Sequence, residues 1–142
     1  MSQATTEKNF DVWMAPKSYR YKEEAIVNHA PQYTGIYMLA TFDDQGNGKY
    51  LYIGLTLDKT IHEALWEHWK GEREPKAQEL LAKYPNLYFG LIVEVTADSD
   101  EDWQDLYWAM LQKEKPELMD ISKVQNTRRY SQVTYTEKSL LG

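Results

Sequence analysis

Two tyrosines, two histidines and a late pair of arginines are the side chains of this sequence whose types and spacing allow chemistry. Tyr37 closes the tripeptide Gly35-Ile36-Tyr37, and Tyr52 opens Tyr52-Ile53-Gly54. Taken separately, both read as strand aromatics on a half-buried sheet. His62-Glu63 does not begin a zinc-protease motif, because Trp66 stands where the second histidine belongs. His68 falls on an apolar helical face, where a histidine commonly hydrogen-bonds to backbone. The acidic run Asp98-Ser99-Asp100-Glu101-Asp102 precedes a helical pattern, so its carboxylates serve free amides and the positive end of the helix dipole. Arg128-Arg129-Tyr130, with Lys123 and Asn126 nearby, is a compact basic cluster with an aromatic neighbour. Such a set contacts phosphate and stacks a base, although two arginines in an acidic chain also read as solvated surface.

The elements that must position these residues follow from periodicity. Lys22 to Ala30 has helical composition and stops at Pro31. Gly35 to Phe42 and Lys49 to Leu55 are apolar runs joined by Asp43-Asp44-Gln45-Gly46-Asn47-Gly48, which is turn chemistry and predicts an antiparallel hairpin. Ile61, Ala64, Leu65, His68 and Trp69 share one helical face, and Gly71 ends that helix. Ala77, Leu80, Leu81 and Tyr84 predict a second short helix, stopped by Pro85. Leu87 to Thr96 is nearly continuous in apolar residues, as for a central strand covered on both faces. Trp103, Leu106, Tyr107, Met110 and Leu111 form a last helical stripe, closed by Pro116. Residues 1–9 read as a frayed start, and Gln132 to Thr136 as either a late edge strand or a docked loop.

The paired tripeptides, with Thr56 and Asp58 after the hairpin, resemble the GIY-YIG nuclease superfamily over about residues 33–120. The resemblance implies an α+β domain, sandwich-like, with a three-stranded, mainly antiparallel sheet flanked by helices in the order β-β-α-α-β-α. Residues 1–32 would be an N-terminal extension carrying a helical segment and packing on the domain, and residues 121–142 a C-terminal tail or edge strand. In active members, as the resemblance implies, a hairpin tyrosine helps activate water, an arginine on the first helix stabilises phosphate charge, and a glutamate on the later helix holds a divalent cation. Carried onto this chain, the tyrosines fall on Tyr37 and Tyr52, and Gly54 on the small position that permits close approach. His68 and Leu65 fit the frame of the arginine helix and put Ala64 where the arginine belongs. Counting back from Pro116 puts Tyr107 at the glutamate, with Asp105 about 160° away round the helix at about 100° per residue. The late asparagine position meets Met119 and Asp120; Asn126 serves only if the tail folds back.

A phosphodiester transition state gathers negative charge, so losing its arginine and its metal ligand costs orders of magnitude in rate. The sequence therefore predicts a GIY-YIG-like domain that has lost nuclease activity and binds nucleic acid or protein, with no cofactor. The alternative is a divergent endonuclease using magnesium or manganese, which recruits Tyr37, Tyr52, His62 or His68, Arg128 or Arg129, and Glu94 or Asp105 on the metal. A third reading is a homo-oligomeric or partner-bound structural component, suggested by acidic charge and by Trp66 and Trp108 lying off the core stripes that take Trp69 and Trp103.

Composition sets the bounds on these readings. The chain has 142 residues, 42% of them hydrophobic and 27% charged, which suits one domain with a single core. A formal net charge of −6 argues against a general grip on phosphate backbone and leaves room only for a local basic patch. With no cysteine there is neither a disulfide nor a thiolate metal site. The polar first residues and the lack of any long apolar run predict a cytoplasmic protein with no membrane contact.

Overall fold

The computed structural model describes residues 6–138. The fold is mixed α+β. Its strands are β1 (Glu7–Met14), β2 (Tyr19–Arg20), β3 (Gly35–Phe42), β4 (Gly48–Thr56), β5 (Leu87–Val95) and β6 (Gln132–Lys138); its helices are α1 (Glu23–His29), α2 (Ile61–Lys70), α3 (Ala77–Lys83) and α4 (Asp100–Glu114). One sheet has the order β4-β3-β5-β1-β6, with β2 pairing the early part of β5. All pairings are antiparallel except β1 with β6.

The hairpin β3–β4, the two helices, the strand β5 and α4 come in the expected order, with β5 in the middle of the sheet. The sheet is larger than the three strands expected, and the frayed start is a correction. Residues 1–5 lie outside the described residues, but β1 begins at Glu7. Its signal is a period of two: Phe10 and Val12 are buried while Glu7, Asn9 and Asp11 are not. Burying such side chains contributes about 1.5–3 kcal/mol each. That gain exists only once β6, far along the chain, and β5 supply neighbours. Gln132 onward resolves as strand for the same reason.

Helices cover the sheet on both sides. Tyr37, Leu39, Leu51, Leu87 and Phe89 pack beneath α1, α2 and α3 through Ile26, Ile61, Ala64, Leu65 and Leu80. Ile36, Met38, Ile53, Ile92, Phe10, Val12 and Val133 meet α4 through Leu106, Met110 and Leu111. A register shift opposite Leu39 and Ala40 leaves Leu51 as an extra residue in β4. Leu51 and Tyr52 therefore both serve the α2 side.

Local chemistry fixes the helix carrying His68. The Thr60 hydroxyl accepts from the Glu63 amide, the Glu63 carboxylate accepts from the Thr60 amide, and Gly71 ends the helix at φ 78°. At α4, Ser99 accepts from the Asp102 amide, with Asp100, Glu101 and Asp102 in the first turn, so the acidic run caps the helix. Outer carbonyls of edge strand β4 are engaged by the chain after α4: Tyr50 accepts from the Glu117 amide at 3.1 Å and Leu51 from Leu118 at 2.9 Å. Among the described residues, no helix is long and apolar enough to cross a membrane.

Candidate functional site

Tyr37 enters from β3 and lies flat across β4, directly over Gly54, its register partner. A Cβ on Gly54 would stand 2.4 Å from Tyr37 Cζ and 2.6 Å from its hydroxyl. The missing side chain is what admits the ring. From α2, His68 comes down on the same spot, with its Nε2 2.6 Å from the Tyr37 hydroxyl. Its other nitrogen, Nδ1, is 3.0 Å from the Pro75 carbonyl. A carbonyl only accepts, so the Nδ1 proton donates to Pro75; Nε2 then accepts, and Tyr37 is the donor.

Both rings are 0% exposed. Burial pushes the His68 pKa down to about 4 and the Tyr37 pKa well above its ordinary value, further raised by the neighbouring Tyr52. The pair is neutral at any ordinary pH, with every polar atom satisfied. The Tyr52 ring is half-buried beside it, 6.2 Å from Tyr37 and 5.3 Å from His68. Beyond Tyr52 opens a shallow groove of about 380 Å³ with Pro75, Lys76, Leu80 and Leu118 on its walls.

Sequence reasoning missed the cations at this site. Arg73, in the loop after α2, lies close enough for its charge to act on Tyr37, Tyr52 and His68. Its Nε donates to Glu67 Oε1 at 2.8 Å, and the other Glu67 oxygen is bonded by Lys59. Both cations hold Glu67 ionised, its pKa lowered first by the Lys59 hydrogen bond. Neither Lys59 nor Arg73 sits in a periodic element, so only loop folding gathers them. The faint available signal was that both flank a capped helix carrying Glu67 at its middle.

The remaining candidates are scattered. Ala64, one turn before His68, is 0% exposed and packed in the core, where a guanidinium would be buried. Tyr107 packs on the opposite side of the sheet, and its hydroxyl donates to the Ile53 carbonyl at 2.8 Å. His62 spends both nitrogens, one against the Ala30 carbonyl at 3.2 Å and one accepting from Trp66 Nε1 at 3.0 Å. Arg129 packs over Tyr130 at 5.0 Å and pairs with Asp102 at 2.9 Å and Asp105 at 2.8 Å, on α4 and away from Tyr37. Asp105 also accepts from the Thr127 amide and hydroxyl. Arg128 is exposed, in the left-handed region at φ 64°, and its amide donates to Asn126 Oδ1. Glu94 is exposed on β5 opposite Trp13, and Met119 and Asp120 serve Ile53 and Ser122. Among the described residues, no three His, Asp or Glu side chains converge as a metal site.

The tryptophans are partly covered by the chain's own elements. Trp66 is held by His62; Trp69 donates to Glu23 at 3.1 Å, and Trp108 packs on the α4 side. Comparison of the chain with protein-family models, curated proteins and solved structures gave no match.

Proposed function

We propose that this chain is a GIY-YIG-like domain that has lost phosphodiester hydrolysis and acts as a binding module. The observation that carries the reading is the Tyr37–His68 contact. A general base must reach the proton it abstracts, directly or through one water. Tyr37 is fully buried and its own proton is held by His68, which makes the pair a packing element. Two further features support the reading. Ala64 occupies the position the resemblance gives to an arginine, and Tyr107 the position of a metal-binding glutamate; one is core and the other uncharged. Each loss removes a different source of transition-state stabilisation, and one such source commonly accounts for two or more orders of magnitude. Arg73 restores a cation beside the tyrosines but spends its Nε on Glu67.

The test is incubation with labelled single- and double-stranded DNA and RNA in magnesium and in manganese at low salt, with Tyr37→Phe alongside. No cleavage above the variant's background is expected. Cleavage by the parent that Tyr37→Phe abolishes would overturn the reading.

A further inference from the structure

The sheet face opposite Tyr37 is covered by α4 only as far as that helix runs. Past its C-terminus, four strands contribute one residue each to a row in direct register: Arg20 pairs with Tyr88, Tyr88 with Ala40, and Ala40 with Tyr50. Phe42 joins from the next position on β3, its ring 5.1 Å from Tyr88 and edge-on to it. Ala40 and Gly48 keep the floor low, and a Cβ on Gly48 would meet the Phe42 ring at 2.7 Å. Next to the Arg20–Tyr88 end of this row, which lies outside its walls, is an open cavity of about 600 Å³ floored by Ala40, Phe42, Gly48 and Tyr50 and rimmed by Ser18 and the α4 end at Glu114 and Lys115. That volume is within the roughly 300–1,000 Å³ of small-ligand sites, enough for a nucleotide.

Charge distinguishes this platform from an ordinary half-buried sheet. Of its carboxylates, Glu117 is ion-paired with Lys49 at 2.9 Å and accepts from Tyr84 at 2.6 Å, while Glu114 accepts only from the neutral Tyr135 hydroxyl at 2.7 Å and keeps its charge. Against that one carboxylate stand two cations without a carboxylate partner among the described residues. The Arg20 guanidinium sits 6.0 Å over Tyr88 and touches only neutral acceptors, the Pro85 carbonyl at 3.3 Å and Asn86 at 3.5 Å. Lys115 is exposed and, among the described residues, has no ion pair or side-chain hydrogen bond. Aromatic rings beside cations that lack carboxylate partners are elements that stack bases and contact phosphate.

We infer that this platform binds single-stranded nucleic acid, with a base stacked on one of the two perpendicular rings, Phe42 or Tyr88, and flanking phosphates held by Arg20 and Lys115. The inference deepens the binding-module reading and rests on it, while using none of the Tyr37 pocket. It also reconciles a net charge of −6 with a phosphate ligand, because the contact is local and short.

Fluorescence anisotropy with labelled twelve-nucleotide poly(dT) and poly(U) at low salt tests it, using the parent, Arg20→Glu, Lys115→Glu, Tyr88→Ala and Lys70→Glu. Lys70→Glu makes the same charge change on the exposed side of α2. Circular dichroism establishes that each variant is folded. Binding by the parent, weakened about ten-fold or more by each of the three platform variants and little by Lys70→Glu, is expected. Equal weakening by Lys70→Glu would reduce the effect to net charge and overturn the site. Duplex bound as tightly as single strand would overturn base stacking, and no retention of either oligonucleotide would overturn the inference as a whole. Cleavage of the probe would instead sink the loss of hydrolysis and leave the platform to be judged by the binding data.

Discussion

Removing one oxygen, in Tyr37→Phe, isolates the buried pair. The ring stays, so its packing over Gly54 and beneath α2 is kept, and no cavity larger than a hydroxyl is made. What changes is His68: Nε2 loses its donor in a site with 0% exposure, while Nδ1 remains tied to Pro75. A buried polar atom left without a partner costs about 1–3 kcal/mol, more than the net value of the hydrogen bond itself. For a domain of this size that corresponds to a fall of about 3–12 °C in Tm. Replacing both partners, in Tyr37→Phe with His68→Leu, removes the stranded acceptor and should recover part of the loss. The assay is urea unfolding of the parent, both single variants and the double variant, giving a coupling energy from the cycle. A Tyr37→Phe variant as stable as the parent, or strictly additive single changes, would refute the claim that the two side chains form one buried unit.

The same pair predicts an acid slope. The His68 pKa is about 4 in the folded state against 6.5 unfolded, so the unfolded chain binds the extra proton first. Stability is then fully present above about 6.5 and falls as pH drops towards 4, by about 3 kcal/mol over the window. Unfolding free energies at pH 7, 6, 5 and 4.5 should show that loss in the parent and not in the double variant. Gly54→Ala forces a Cβ to within 2.4 Å of Tyr37, so overpacking of about 1–3 kcal/mol is expected, and a thermal melt unchanged from the parent would contradict the close approach. Arg129→Ala leaves the buried Asp105 with only Thr127 as a partner; hydrogen exchange of the amides at residues 126–131 should accelerate, and unchanged protection would show that the ion pairs do not hold this segment.

Tyr37, Gly54 and His68 were legible in the sequence because each sits in a locally encoded element. The hairpin is written in Asp43 to Gly48, with Asp43 Oδ1 accepting from the Gln45 and Asn47 amides, and α2 in the Thr60 capping box and Gly71. Where hydrophobic period and turn chemistry agree, local interactions suffice to set which residues face the core, whereas the meeting of Tyr37 and His68 depends on how α2 packs on the sheet. β1 was less legible. Its alternation is present, but polar residues dilute it, and its partners β5 and β6 stand far away in sequence.

The sequence by itself determined the order of the central elements, their caps, the missing thiol chemistry and the apolar face on which His68 lies. Only the tertiary structure decided which charges meet. It sent Arg129 to Asp102 and Asp105, brought Arg73 and Lys59 to Glu67, and aligned Arg20, Tyr88, Ala40 and Tyr50 across four strands. The physical reason is that helix and turn signals are short-range, encoded in neighbouring residues. Ion-pair partners and cross-strand rows are fixed by loop paths and strand register, which arise when distant apolar faces are buried together.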